Sequence, residues 1–194
     1  HEAPPRVSRS ERLRSRHGVD HPYFISYYRD EAGAAARLLH LALEKYLGRA
    51  GFLDLSDLAD ISALLGHVRR SECVILLQTA NVMTRPWCLV EVYLARRLRI
   101  PVVPVIVSGG GYDHGVAADF LRDLPRRLEE ANPGALANVR RIVEAQRLPM
   151  QVFAREMSAI SGLISVSFDP CGTSENLMQA CLRDIFKTMR AQMQ

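Results

Sequence analysis

Residues 84–91 read Thr84-Arg85-Pro86-Trp87-Cys88-Leu89-Val90-Glu91, and they follow an uninterrupted apolar run, Cys73-Val74-Ile75-Leu76-Leu77. Such a run suits a strand buried on both faces, and the pattern after Pro86 reads as a helix on to Leu98. Trp87 and Glu91 stand four apart, so on that helix they share a face, one turn apart. A lone carboxylate near a helix start, just past a buried strand, stands where open α/β sheets bind ligands. If the chain is an enzyme, Glu91 is its candidate catalytic residue.

On either side of this stretch, strands and helices alternate. Tyr23 to Tyr27 reads as a first strand, Ala34 to Leu47 as a helix ended by Gly48, and Phe52 to Leu55 as a second strand. A loop at 56–60 precedes a helix up to Arg70, and Cys73 to Gln78 is the third strand. Pro101 to Val107 is a fourth, whose two prolines predict a late start or a bulge. Ile164 to Phe168 is a fifth, and Ser174 to Met189 a last helix burying Leu177, Met178, Cys181, Leu182, Ile185, Phe186 and Met189. The fold class that follows is α/β: a flavodoxin-like five-stranded parallel sheet, order 2-1-3-4-5, with helices on both faces. Residues 108–163 exceed what such a fold needs, and their periodicity predicts two or three amphipathic helices, serving as a lid, an assembly surface or an elaboration.

At 194 residues the chain suits a single domain over 22–194, preceded by a basic, disordered lead-in at 1–21. The first nineteen residues hold five arginines against two glutamates, so they supply +3 of the net charge of +4. The remainder offers no stripe for a phosphate backbone, and no nucleic-acid partner is expected. Cys73, Cys88, Cys171 and Cys181 show no metal-ligand spacing, which points away from zinc and toward a reducing, cytoplasmic setting. No apolar run approaches the roughly 20 residues that span a bilayer. The chain begins at His1 rather than Met, and is read as a piece of a longer protein with further domains.

Five short segments in order resemble a TIR (Toll/interleukin-1 receptor) domain. They are Phe24-Ile25-Ser26-Tyr27 with Arg29-Asp30, Phe52-Leu53-Asp54, Ser71 before Val74-Ile75-Leu76-Leu77, Trp87-Cys88-Leu89-Val90-Glu91, and Val103-Pro104-Val105. The resemblance covers residues 23–107, with 164–191 compatible as the last strand and helix. TIR domains either cleave NAD⁺ at the nicotinamide–ribose bond, sometimes cyclising the product, or act as scaffolds that assemble with other TIR domains. In the enzymes the glutamate of the Trp-Cys-x-x-Glu segment is catalytic, which implies that role for Glu91. The chemistry is sound: nicotinamide departs neutral, so no general acid is needed, and one carboxylate can stabilise the cationic ribosyl group.

The resemblance further implies NAD⁺ as substrate, no cofactor and no metal, activity gained through self-association, and a role in defence or cell death. Tyr28, Arg29 and Asp30 follow strand 1 and are expected to line the cleft, with Tyr27 at the strand's end also a candidate for contact with the substrate. Arg29 is a candidate for the pyrophosphate, with an exposed loop charge as the alternative. The loop Ser56–Ile61 corresponds to the family's BB loop, which brings in Leu58 and Ile61, although Ala59-Asp60 stands where glycine is often found. Trp87 is read as core packing ahead of substrate stacking, and Cys88 as a buried filler. Gly109-Gly110-Gly111 is read as a flexible hinge. Two rivals remain: a non-catalytic TIR interaction module, and another flavodoxin-like N-glycoside enzyme related to nucleoside deoxyribosyltransferases.

Overall fold

The computed structural model describes residues 18–53, 61–172 and 174–193. Among them, β1 (Phe24–Ser26), β2 (Phe52–Leu53), β3 (Val74–Gln78), β4 (Val102–Val107) and β5 (Val166–Phe168) form one parallel sheet in the order β2-β1-β3-β4-β5. This is the expected flavodoxin-like order, with the switch point between β1 and β3. Side chains alternate strictly across it. Phe24, Val74, Leu76 and Val102 enter one core, while Ile25, Ile75, Leu77, Val103 and Val105 enter the other.

Helices α1 (Arg29–Leu47) and α8 (Glu175–Ala191) cover the second of those faces. Helix α1 packs close through Ala32, Ala35 and Ala36, and Gly48 ends it in the left-handed conformation, φ 63°. It begins five residues before the Ala34 expected from the sequence, so Arg29 and Asp30 belong to its first turn. In α8, Leu177 stays 63% exposed instead of buried, while Cys181, Leu182, Ile185 and Met189 face the sheet.

The other face carries α2 (Ile61–Arg69) and α3 (Pro86–Arg97), and a second layer lies over α3. That layer is the 108–163 segment: α4 (His114–Arg122), α5 (Leu124–Ala131), α6 (Ala135–Ala145) and α7 (Phe153–Ser158). Leu121, Leu128, Val139, Val143, Phe153 and Met157 are buried in one core with α3. Phe153 meets Tyr93 edge-on, ring centroids 5.1 Å apart, and the Tyr93 hydroxyl donates to the Pro149 carbonyl. Every residue of α3 from Cys88 to Ala95 is therefore buried.

The prolines of β4 are absorbed by the parity of its ladder. Both the N–H and the C=O of Val102 bond the side-chain amide of Gln192, at 3.0 and 2.7 Å. The next residue directed to that side is Pro104, which has no N–H to satisfy. Pairing with β5 begins only at Val105, opposite Val166. Pro104 thus falls in the gap between a side chain and a strand, and no bulge is needed.

Two histidine contacts brace the ends of the sheet. Residues 18–21, read from the sequence as the end of the lead-in, run beside Arg70 and Ser71: the Asp20 and His21 amides donate to the Arg70 carbonyl, and His21 bridges Ser71. The His21 and His67 rings share a hydrogen bond of 2.9 Å beside Phe52. On the opposite face, Tyr23 Oη lies 3.0 Å from His40 Nδ1, and His40 Nε2 lies 3.3 Å from Glu44.

Candidate functional site

The chain leaves β3 through Thr79, Ala80 and Asn81, makes a 3₁₀ turn at Val82–Thr84, and enters α3 through Arg85. Arg85 is extended (φ −97°, ψ 115°) and Pro86 takes the first helical position, where its missing N–H costs nothing. The turn is anchored on both sides. Asn81 donates to Glu31 in the first turn of α1 from its backbone N–H (3.0 Å) and its side-chain amide (2.6 Å). Asn132 of the second layer donates to the Thr84 carbonyl at 3.0 Å. Burial alone would raise the Glu31 carboxyl, but the hydrogen bonds it receives, Asn81's among them, outweigh that and hold it below the usual carboxylate value.

Beneath this rim, Glu91 lies against the end of β1. It is 6% exposed, the only charged side chain in the buried span of α3. Ser26 Oγ donates to its Oε2 at 2.6 Å. Charge-assisted contacts of this length are the strong ones, and they matter most out of water. Ser26 reaches it because it shares the strand parity of Phe24 and so faces α3. Cys88, one turn before Glu91, directs its thiol to the Tyr27 carbonyl at 3.4 Å. Burial pushes that thiol above its usual range, and the negative charge of Glu91 adds to the effect. Cys88 is a packed neighbour of the acid and no nucleophile, as its sequence context suggested.

The mouth of the site is aromatic and cationic. The Arg85 guanidinium carbon stands 3.7 Å above the centroid of the Tyr28 ring. Tyr28 Oη donates to Asp30 at 2.7 Å, and that bond chiefly raises the phenol above its usual value. Trp87, at the start of α3, is 45% exposed. The core-packing reading of Trp87 is thereby overturned: it sits in the first turn of α3, ahead of the buried span, and its indole is half exposed.

Of the residues drawn from the sequence, Tyr28, Trp87 and Glu91 stand on α3 or on the strand end facing it. Tyr27 does not join them by its side chain. Its parity is that of Tyr23 and Ile25, so the ring packs on the α1/α8 core and only its carbonyl meets Cys88. Arg29 and Asp30 are exposed on α1. Leu58 lies outside the described residues, and Ile61 opens α2 without a described side chain. Two residues escaped the sequence reading: Ser26, legible by parity once its partner face is known, and Arg85, which no periodicity singles out. The three glycines form a fixed turn rather than a hinge. The Gly110 carbonyl accepts from Ala80 N–H at 2.8 Å, and a Cβ at Gly110 would stand 3.0 Å from the Val107 carbonyl oxygen.

No protein-family model matches this chain, and no curated protein matches it. Among solved structures it is similar to the TIR domains of the activated Roq1 resistosome that directly recognizes the pathogen effector XopQ, with a TM-score of 0.52 and 18% identity. The likeness spans 86% of this chain and 98% of that one. At that identity it is a likeness of fold: the chain has the TIR-type, flavodoxin-like architecture. Among the described residues no group of three or more His, Cys, Asp or Glu could hold a metal ion, and no helix is long and apolar enough to cross a membrane.

Proposed function

We propose that the chain is a TIR-type NAD⁺ glycohydrolase in which Glu91 is the catalytic carboxylate. The observation that carries this reading is a single acid kept in the otherwise apolar, buried span Cys88–Ala95 of α3, gripped by Ser26 at the switch-point end of the sheet. Keeping a carboxylate there costs free energy that a leucine would not. In the reaction the C1′–N bond breaks and its electron pair leaves with nicotinamide, which departs neutral. The positive charge left on the ribosyl group is met by Glu91. Water then bonds to C1′ and loses its proton to solvent, giving ADP-ribose; capture by a nucleophile of the same molecule gives a cyclic isomer instead. Glu91 acts by charge and position and forms no lasting bond.

Activity of this kind depends on self-association, with a cytoplasmic role in defence or cell-death signalling alongside other domains of a longer protein. The TIR fold of a resistosome supports that setting. A second reading, a non-catalytic module that binds other TIR domains, is favoured by Leu38 and Leu41, exposed one turn apart on α1. Concentrated protein is incubated with NAD⁺, and nicotinamide and the ribosyl product are resolved by chromatography. Glu91→Gln, which can still accept from Ser26, is expected to slow release by about a hundredfold or more while melting like the parent. A folded Glu91→Gln protein that consumes NAD⁺ at the parent rate would sink the assignment. No release by the parent at any concentration leaves the module reading.

A further inference from the structure

We propose that Arg85 is the phosphate-binding residue of this cleft, taking the diphosphate of a dinucleotide whose ribose faces Glu91. The inference rests on the reading of Glu91 given above, and it replaces Arg29, the candidate drawn from the sequence. Three observations lead to it. The guanidinium carbon stands 3.7 Å above the centroid of the Tyr28 ring, a contact that holds the group at the end of β1. Its Nε is shielded from solvent and meets no hydrogen-bond partner among the described residues. A shielded charged donor without an acceptor is costly, and such a group marks the place of a missing acceptor.

The third observation concerns the acids around it. Asp30 accepts from Tyr28, Glu31 accepts from both donors of Asn81, and Glu91 accepts from Ser26. Each of these carboxylates has a hydrogen-bond donor of its own, and Glu31 feels the Arg85 charge, while the Arg85 Nε has no acceptor among the described residues. Arg85, which caps the start of α3, also precedes Glu91 by six residues. Cys88 lies between them and feels the charge of both. Planar, bidentate recognition of phosphate is what a guanidinium supplies and an ammonium does not.

Binding without turnover tests the assignment separately from the cleavage reaction. ADP-ribose, which has no nicotinamide to lose, and nicotinamide riboside, which has no phosphate, are titrated into the parent, Arg85→Ala, Arg85→Lys and Tyr28→Leu proteins by calorimetry. Arg85→Ala is expected to weaken ADP-ribose roughly ten- to a hundredfold and to leave the riboside within about twofold. Arg85→Lys and Tyr28→Leu fall between. In turnover, the KM for NAD⁺ rises and kcat holds. Unchanged ADP-ribose affinity, equal loss for both ligands, or no binding of ADP-ribose by the parent would each overturn the inference. Arg85-dependent binding by a protein that never releases nicotinamide would uphold Arg85 and refute the glycohydrolase. Nicotinamide release with an unaltered KM in Arg85→Ala would do the reverse. A lowered melting temperature with unaltered affinity would make Arg85 a structural partner of the fold, and also overturns it.

Discussion

The two faces of the sheet are finished in different ways. On one, α1 and α8 each bury a single stripe and turn polar residues outward, the usual arrangement for a surface helix. On the other, α3 has no outward face from Cys88 to Ala95: α6 and α7 cover what the sheet does not. An acid on α1 is ordinary, whereas an acid on α3 must be held by something. The lesson is that the second layer leaves the middle of α3 without a solvent face, while Glu91, on the side of α3 that meets β1, is held against the sheet by Ser26. The segment whose periodicity suits a lid, an assembly surface or an elaboration is, in the fold, an elaboration that shares a core with α3.

Breaking that layer should have the largest effect. Phe153→Ala removes the ring packed on Tyr93 and is expected to cost about 3–5 kcal/mol in urea unfolding. A cost under about 1 kcal/mol would mean that the layer is peripheral and the contrast between faces is overstated. Ser26→Ala comes next. It leaves a buried carboxylate without one of its donors, and about 1–3 kcal/mol of stability should go, together with a fall in kcat. If Glu91→Leu, which can no longer accept from Ser26, and Ser26→Ala fail to interact in a double-mutant cycle, the 2.6 Å contact is not what holds the acid.

Acid titration compares the faces directly and should give the smallest effect. Burial first, and then the charge of His67, hold His21 below the ordinary histidine value of 6.5, with Arg70 adding to the shift and Asp20 opposing it. Burial also lowers His40, but Glu44 opposes it. A group lowered in the folded state binds its proton more readily when unfolded. Both therefore contribute stability above pH 6.5 that is lost as the pH falls through that value toward their own lower ones. The melting temperature should decline over that window. His21→Gln should flatten the decline more than His40→Gln, and the opposite ranking would place the weaker brace on the α1 side.

Much of this was legible in the sequence because it depends on local pattern. The apolar run at Val74–Gln78, the start at Pro86 and the order of elements fix the sheet and bring Glu91 to the switch point. What stayed hidden depends on which face meets which. Tyr27 and Tyr28 are neighbours in sequence, yet the pleat sends one ring to the α1/α8 core and the other toward α3. Trp87 was misread because large apolar rings are usually inside, and nothing local says that the first turn of α3 leaves its indole half exposed. Helix α1 was begun late because Arg29-Asp30-Glu31 offers no apolar stripe, although those residues complete its first turn. Arg85 was invisible for a simpler reason: a missing partner is a property of the assembled site.

Gln192 has a consequence for association. Its amide offers one N–H and one C=O to Val102 as a peptide unit would, so it serves as a single rung of a strand the chain does not contain. That rung lies where β5 has not yet begun and where β4 would otherwise present open backbone groups. Exposed sheet edges invite pairing with other chains. Here the vacancy is filled from within the same molecule, by a side chain anchored on the last turn of α8. Strand addition at this end of β4 would have to evict Gln192 first, so that stretch of backbone is guarded from within.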